Sequence, residues 1–131
     1  MEKGIDLQDD LPSTPVRVQA DRNRLAQVIM NLLENARKYT PEGGSVRIRL
    51  SKEQREALIQ IQDTGIGIPD SELPHIWRRF YRVEKSRSRD YGGAGLGLSI
   101  AKRIIELHDG TITVNSKEGI GTTFLIRLPL E

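Results

Sequence analysis

The chain contains no cysteine. That excludes a disulfide framework and any thiolate-bound metal, and it suits a reducing compartment. Aromatic residues are scarce: one tryptophan, three tyrosines and two phenylalanines in 131 residues, too few to stack a run of nucleic-acid bases. No apolar run approaches the roughly 20 residues that a membrane-spanning helix needs, and the N-terminus has no signal-peptide pattern. Net charge is also small, with 20 Lys and Arg against 18 Asp and Glu for a balance of +2, which does not support binding to a polyanion.

What is present is an ordinary globular composition, 37% hydrophobic and 29% charged, in a length that fits one soluble domain with a single core. Charge is unevenly spread. From His75 to Asp90 five arginines and one lysine face two acids. Such a cluster is either a solvated loop or a site for an anionic ligand or acidic partner.

Periodicity places the elements. Val16 to Ala20 alternates as a short strand and leads to Asp21, a good N-cap. Leu25, Val28, Ile29, Leu32, Leu33 and Ala36 then form one helical stripe that ends near Thr40-Pro41. Ser45 to Ser51 and Ala57 to Gln62 alternate as a hairpin. The stretch from Asp63 to Tyr91 reads as a long functional loop with a short helix. Leu96 to His108 is a second helix with Ile100, Ala101, Ile104, Ile105 and His108 inward, stopped by Asp109-Gly110. Thr111 to Asn115 and Thr122 to Leu128 close the chain as another hairpin. The expected fold is α+β, a two-layer sandwich in which about three helices cover one face of a mixed, mostly antiparallel sheet.

Several stretches carry chemistry. Tyr91 to Ser99, YGGAGLGLS, puts four glycines in six positions before a helix, the composition of a phosphate cradle or of a hinge. It is not a Walker loop, because Leu98 occupies the lysine position, and it is not a dinucleotide fingerprint, because Leu98 also replaces the last glycine. Asn31, Asn35 and Lys38 share a helical stripe about 110° from the centre of the apolar one, at the border of core and surface. Asparagine is a poor choice inside a helix, so the pair fits either a solvated face or carbonyl ligands for a hard cation beside phosphates, which Lys38 would meet. Asp63-Thr-Gly65-Ile-Gly67-Ile68 follows a strand. It fits a β-turn, or a carboxylate that accepts from an amine while glycines admit a flat ring.

In order, Asn31-Leu-Leu-Glu-Asn35-Ala-Arg-Lys38-Tyr39, Asp63-Thr-Gly65-Ile-Gly67-Ile68, Arg79-Phe80-Tyr81-Arg82, Gly93-Ala-Gly95-Leu96-Gly97-Leu98 and Gly121-Thr122-Thr123-Phe124 resemble the five boxes of the sensor histidine kinase ATP-binding domain. The resemblance runs from about Val16 to the C-terminus. It implies the Bergerat fold shared with gyrase, heat-shock and mismatch-repair ATPases, and ATP with Mg²⁺ as cofactors. It assigns Asn35, aided by Asn31, to the metal, and Lys38 and Tyr39 to phosphate or ribose. Asp63 would accept from the adenine amine, with Gly65, Gly67, Ile68 and Thr122 around the base. Phe80 and Arg82 would belong to an ATP lid spanning 79–95 that ends in Gly93, Gly95, Leu96, Gly97 and Leu98, whose amides cradle phosphates.

The related ATPases carry a basic glutamate where Asn31 stands, so the resemblance favours transfer to a partner over hydrolysis, with Asn31, Glu34, Lys38 and Arg82 as catalytic candidates and Glu34 able to polarise an incoming histidine. Neither His75 nor His108 lies in a phosphoacceptor setting. Residues 1–131 are therefore expected to be one catalytic domain whose dimerisation and phosphoacceptor domain is absent, with Met1 and Leu130-Glu131 as additions at its ends. Expected partners are that acceptor domain and, indirectly, a response regulator, with no nucleic acid. The domain itself would be monomeric and cytoplasmic, within a membrane-anchored sensor. An anti-sigma-type serine kinase, or a nucleotide-gated binding module, are the alternatives. His108-Asp109-Gly110 departs from the commoner histidine and two glycines, and Trp77-Arg78 from a frequent phenylalanine and glutamate.

Overall fold

A computed structural model describes residues 6–13, 16–78 and 94–130, with backbone alone at 94–97. The elements are β1 (Asp6–Asp10), α1 (Arg22–Tyr39), β2 (Ser45–Glu53), β3 (Glu56–Asp63), a 3-10 turn at Leu73–His75, α2 (Ala94–Leu107), β4 (Thr111–Lys117) and β5 (Gly121–Pro129). The sheet order is β1-β2-β3-β5-β4, with β1 parallel to β2 and every other pair antiparallel. Both helices pack on one face, giving the two-layer α+β sandwich.

Each helix buries the stripe its spacing defines. Val28, Leu32 and Ala36 of α1 and Leu98, Ala101, Ile104 and Ile105 of α2 are buried against Val46, Ile59, Ile61, Ile112, Phe124, Ile126 and Leu128 of the sheet. Leu25, Ile29 and Leu33 pack at the margin of that core. Burying one such aliphatic side chain contributes roughly 1.5–3 kcal/mol, so these two seams dominate the stability. Trp77 closes the core beside Phe124, edge to face at 6.0 Å, with Lys102 Nζ 5.4 Å from its ring centre.

Three details differ from expectation. The first strand is Asp6–Asp10, not Val16 to Ala20, of which only Val18 makes a bridge, to Leu130. β1 is an edge strand exposed on both sides, with Leu7 54% exposed, so it has no alternation to read. Leu130 also takes part in the fold, its N–H donating to Arg55 O at 2.9 Å. Among the described residues the short helix expected between Asp63 and Tyr91 is the 3-10 turn at Leu73–His75, in which Pro74 has no N–H to donate; residues 79–91 of that stretch lie outside the described residues. Among the described residues there are thus two α-helices rather than about three. Finally, Ile100 sits at the edge of its stripe and is 36% exposed.

The helix ends are tied together. Asp21 caps α1 by accepting from Arg24 N–H at 3.1 Å. Its own N–H donates to His108 Nε2 at 3.0 Å, while His108 Nδ1 lies 2.8 Å from Ile104 O. That pattern assigns the proton to Nδ1. Asp109 has φ +62°, and Asp109 and Gly110 N–H donate to Glu106 and Ile105 O, both at 3.0 Å, closing α2 as a Schellman motif. A side chain at Gly110 would strike Arg127 O at 2.4 Å, which explains the glycine there.

Asp21→Ala is expected to lower stability by about 1 kcal/mol. Asp109→Gly, which relieves a left-handed non-glycine residue, is expected to raise it by roughly 0.5–1 kcal/mol. Urea denaturation at constant slope measures both, and a gain from Asp21→Ala or a loss from Asp109→Gly would contradict the cap assignments.

Candidate functional site

The helix-facing side of the sheet changes character at one end. Across the strands Leu50, Ile59, Ile126 and Ile112 lie in one row, and Ile48, Ile61, Phe124 and Val114 in the next. The following row is Val46, Asp63, Thr122 and Ser116. Strand alternation that buries Ala57, Ile59 and Ile61 also carries the Asp63 carboxylate inward, leaving it 8% exposed.

Asp63 Oδ1 accepts from Gly65 N–H at 2.8 Å and from Thr122 N–H at 3.2 Å. No hydrogen bond to Oδ2 is made among the described residues, so the carboxylate is held by one oxygen and presents the other. Burial raises its pKa, opposed by the bonds from Gly65 and Thr122.

The surrounding glycines let backbone meet backbone. A Cβ on Gly65 would lie 2.3 Å from Tyr39 O, one on Gly67 (φ +74°) 2.1 Å from Lys117 O, and one on Gly121 2.1 Å from Asp63 O. Ile66 N–H donates to Tyr39 O at 3.1 Å and Gly119 N–H to Ile66 O at 2.7 Å. The end of α1, the Asp63 loop and the β4–β5 turn are thereby drawn to one place. The clearance anticipated for a ligand ring at Gly65 and Gly67 is taken up first by the chain itself.

Asn31, Asn35, Lys38 and Tyr39 are half-buried along α1, as the polar stripe predicts, and Tyr39 brings their end of the helix to the Asp63 loop. Glu34 is exposed and paired with Arg37 through both oxygens. Its pKa is lowered by the Arg37 hydrogen bond, against desolvation, with further help from the charges of Arg37 and Lys38. That makes it a weaker base than an unpaired glutamate. Ile68 and Leu98 are buried in the core, where they act as apolar wall. Gly95, Leu96 and Gly97 are described as backbone in the first turns of α2, and amides at such a helix start lack intrahelical acceptors. Phe80, Arg82, Gly93 and the lid up to that residue lie outside the described residues.

Sequence reasoning missed Ser116. Its oxygen accepts from Ile68 N–H at 2.8 Å, lies 2.8 Å from Thr122 Oγ1 and bonds Gly121 O at 3.0 Å. The available signal was a hydroxyl ending the inward alternation Ile112, Val114, Ser116.

Residues 20–131 match the family described as histidine kinase-, DNA gyrase B- and HSP90-like ATPase. The chain belongs to this ATPase family. Sensor histidine kinase RppB of Synechocystis is 46% identical over 126 residues, which is 96% of this chain and 28% of RppB. The mycobacterial sensor histidine kinase MprB superimposes with a TM-score of 0.85 at 34% identity, over 98% of this chain and 85% of that one. Histidine kinase ThkA, solved in complex with response regulator protein TrrA, gives 0.80 at 28% identity, over 99% of this chain and 35% of that one. The ATPase domain spans about a quarter of the length of the curated relatives it matches.

Without nucleotide, Asp63→Asn is expected to stabilise the ATPase domain at neutral pH, because an amide keeps both N–H bonds through its oxygen and buries no charge. A raised folded-state pKa means that the native protein holds this proton more tightly. The parent therefore gains stability as pH falls from neutral through that pKa, levelling below the unfolded value of about 3.9. Melting curves of both proteins between pH 7 and pH 4 should converge on acidification. A widening gap would contradict the assignment.

Proposed function

We propose that this domain binds ATP with Mg²⁺ and donates the γ-phosphoryl group to a histidine on a dimerisation domain of its parent kinase. The observation that carries the reading is the Asp63 carboxylate, buried, fixed through Oδ1 and without a hydrogen bond to Oδ2 among the described residues, which suits an amine donor such as that of adenine. Membership of the ATPase family and similarity to sensor histidine kinases support the nucleotide and the acceptor.

Each residue then has a task. Asp63 accepts from the adenine amine, Thr122 supports the same edge, and Gly65, Gly67, Ile68 and Leu98 form the base-side wall. Asn35 and Asn31 would hold Mg²⁺ as carbonyl-oxygen ligands, a hard donor type that fits this cation when phosphates complete its shell. The ion, when bound, offsets phosphate charge. Lys38 and Arg82 add positive charge, Tyr39 and Phe80 flank the nucleotide, and amides of Gly93, Gly95, Leu96 and Gly97 cradle phosphates. Phosphoryl transfer asks chiefly for positioning and charge neutralisation. The bond from Pγ to its bridging oxygen breaks, a bond to the acceptor nitrogen forms, and ADP leaves.

Hydrolysis within the domain is disfavoured. Asn31 cannot take a proton, and Glu34 is engaged by Arg37. A response regulator would receive the phosphoryl group next, a reading supported by ThkA in complex with TrrA. Among the described residues no helix is long and apolar enough to cross a membrane.

Calorimetry is expected to find ATP binding that Mg²⁺ strengthens and that Asp63→Asn weakens by roughly thirtyfold or more, the loss of a charge-assisted hydrogen bond. Equal affinity in the two proteins would remove Asp63 from its role. With a dimerised acceptor fragment and radiolabelled ATP, acid-labile label should appear on histidine. Acid-stable label on serine would identify a serine kinase, and binding without transfer a nucleotide-gated module.

A further inference from the structure

We propose that Ser116 is a positioning residue for the base-reading end of the site, an inference that rests on the ATP-binding reading above. Ser116 stands across from Thr122, and Thr122 across from Asp63, on the inward side of three neighbouring strands. Its one side chain joins Ile68 of the Asp63 loop to Gly121 and Thr122 of β5. Ser116 acts through these groups and does not itself meet the base.

A serine hydroxyl has one proton and two lone pairs. Ile68 N–H fills one lone pair at 2.8 Å. If the Ser116 proton goes to Gly121 O, at 3.0 Å, the second lone pair takes the Thr122 proton across 2.8 Å, and Thr122 offers a ligand only acceptors. If the Ser116 proton goes instead to Thr122 Oγ1, Thr122 turns its own proton outward as a donor. Ser116 therefore sets the Thr122 rotor in both arrangements. The Watson–Crick edge of adenine places a donor amine beside an acceptor ring nitrogen. Asp63 as acceptor and Thr122 as donor, directly or through one water, complement that pair. Guanine presents the reverse pattern, so the second arrangement, with the Ser116 proton on Thr122 Oγ1 rather than on Gly121 O, is the one that favours adenine over guanine.

The test is calorimetric titration of the whole chain with ATP, GTP and inorganic triphosphate, for the parent, Ser116→Ala and Ser116→Thr. In Ser116→Ala, ATP should bind about five- to thirtyfold more weakly, as for one lost buried hydrogen bond. Its preference for ATP over GTP should narrow while triphosphate affinity stays unchanged. Ser116→Thr, which keeps the hydroxyl, should recover most of the ATP affinity. Thr122→Val should also narrow the ATP over GTP preference, and it carries the test should Ser116→Ala not fold. Equal weakening of ATP and triphosphate would make Ser116 merely structural and overturn the proposal. So would undiminished ATP binding by Ser116→Ala, or an unchanged preference in Thr122→Val, when the parent binds ATP. A parent that binds no ATP would instead remove the underlying reading.

Discussion

The Asp63 carboxylate, buried at the end of β3 and held through Oδ1 by Gly65 and Thr122 N–H groups, is the constraint around which the site is arranged. A charge in such a place is unfavourable unless it is hydrogen-bonded, and two backbone donors are a partial answer. The remaining oxygen is a standing demand for a donor. A ligand amine that meets it would find the acceptor already fixed in place, so binding strength at this point would come from preorganisation rather than from new order.

Meeting that demand requires three chain segments to converge, and glycine makes the convergence sterically allowed. Gly65 lies against the last carbonyl of α1, Gly67 against Lys117, and Gly121 against Asp63 itself. The same contacts bring the C-terminal end of α1, the helix that carries Asn31, Asn35 and Lys38, to the Asp63 loop. Fold and site are therefore not separable here. The turns that finish the sandwich are the turns that surround Asp63 and Thr122.

Two features on α1 bear on the chemistry. Arg37 binds Glu34 through both carboxylate oxygens, lowering its basicity. Under the proposed function Asn31 stands where the related ATPases carry a general base, and such a site would hand a phosphoryl group to a nucleophile activated elsewhere.

Much was legible in the sequence. The 3.6-residue stripe from Leu25 to Ala36 and the alternation from Val46 to Ile61 named the helices, the hairpin and most of the core, because burial of one face imposes a period that any reader of the chain can count. The five ordered motifs pointed to the nucleotide. β1 was not legible, since an edge strand exposed on both sides carries no alternation. The bond between Leu130 and Arg55 was not legible either, since it joins residues distant in the chain. Sequence by itself determined which residues face inward and that Asp63 ends such a face. Only the tertiary structure decided that Thr122 and Ser116 complete its row and that the glycines serve the chain's own backbone, because strand register and close approach join residues about 60 positions apart, and no local pattern encodes them.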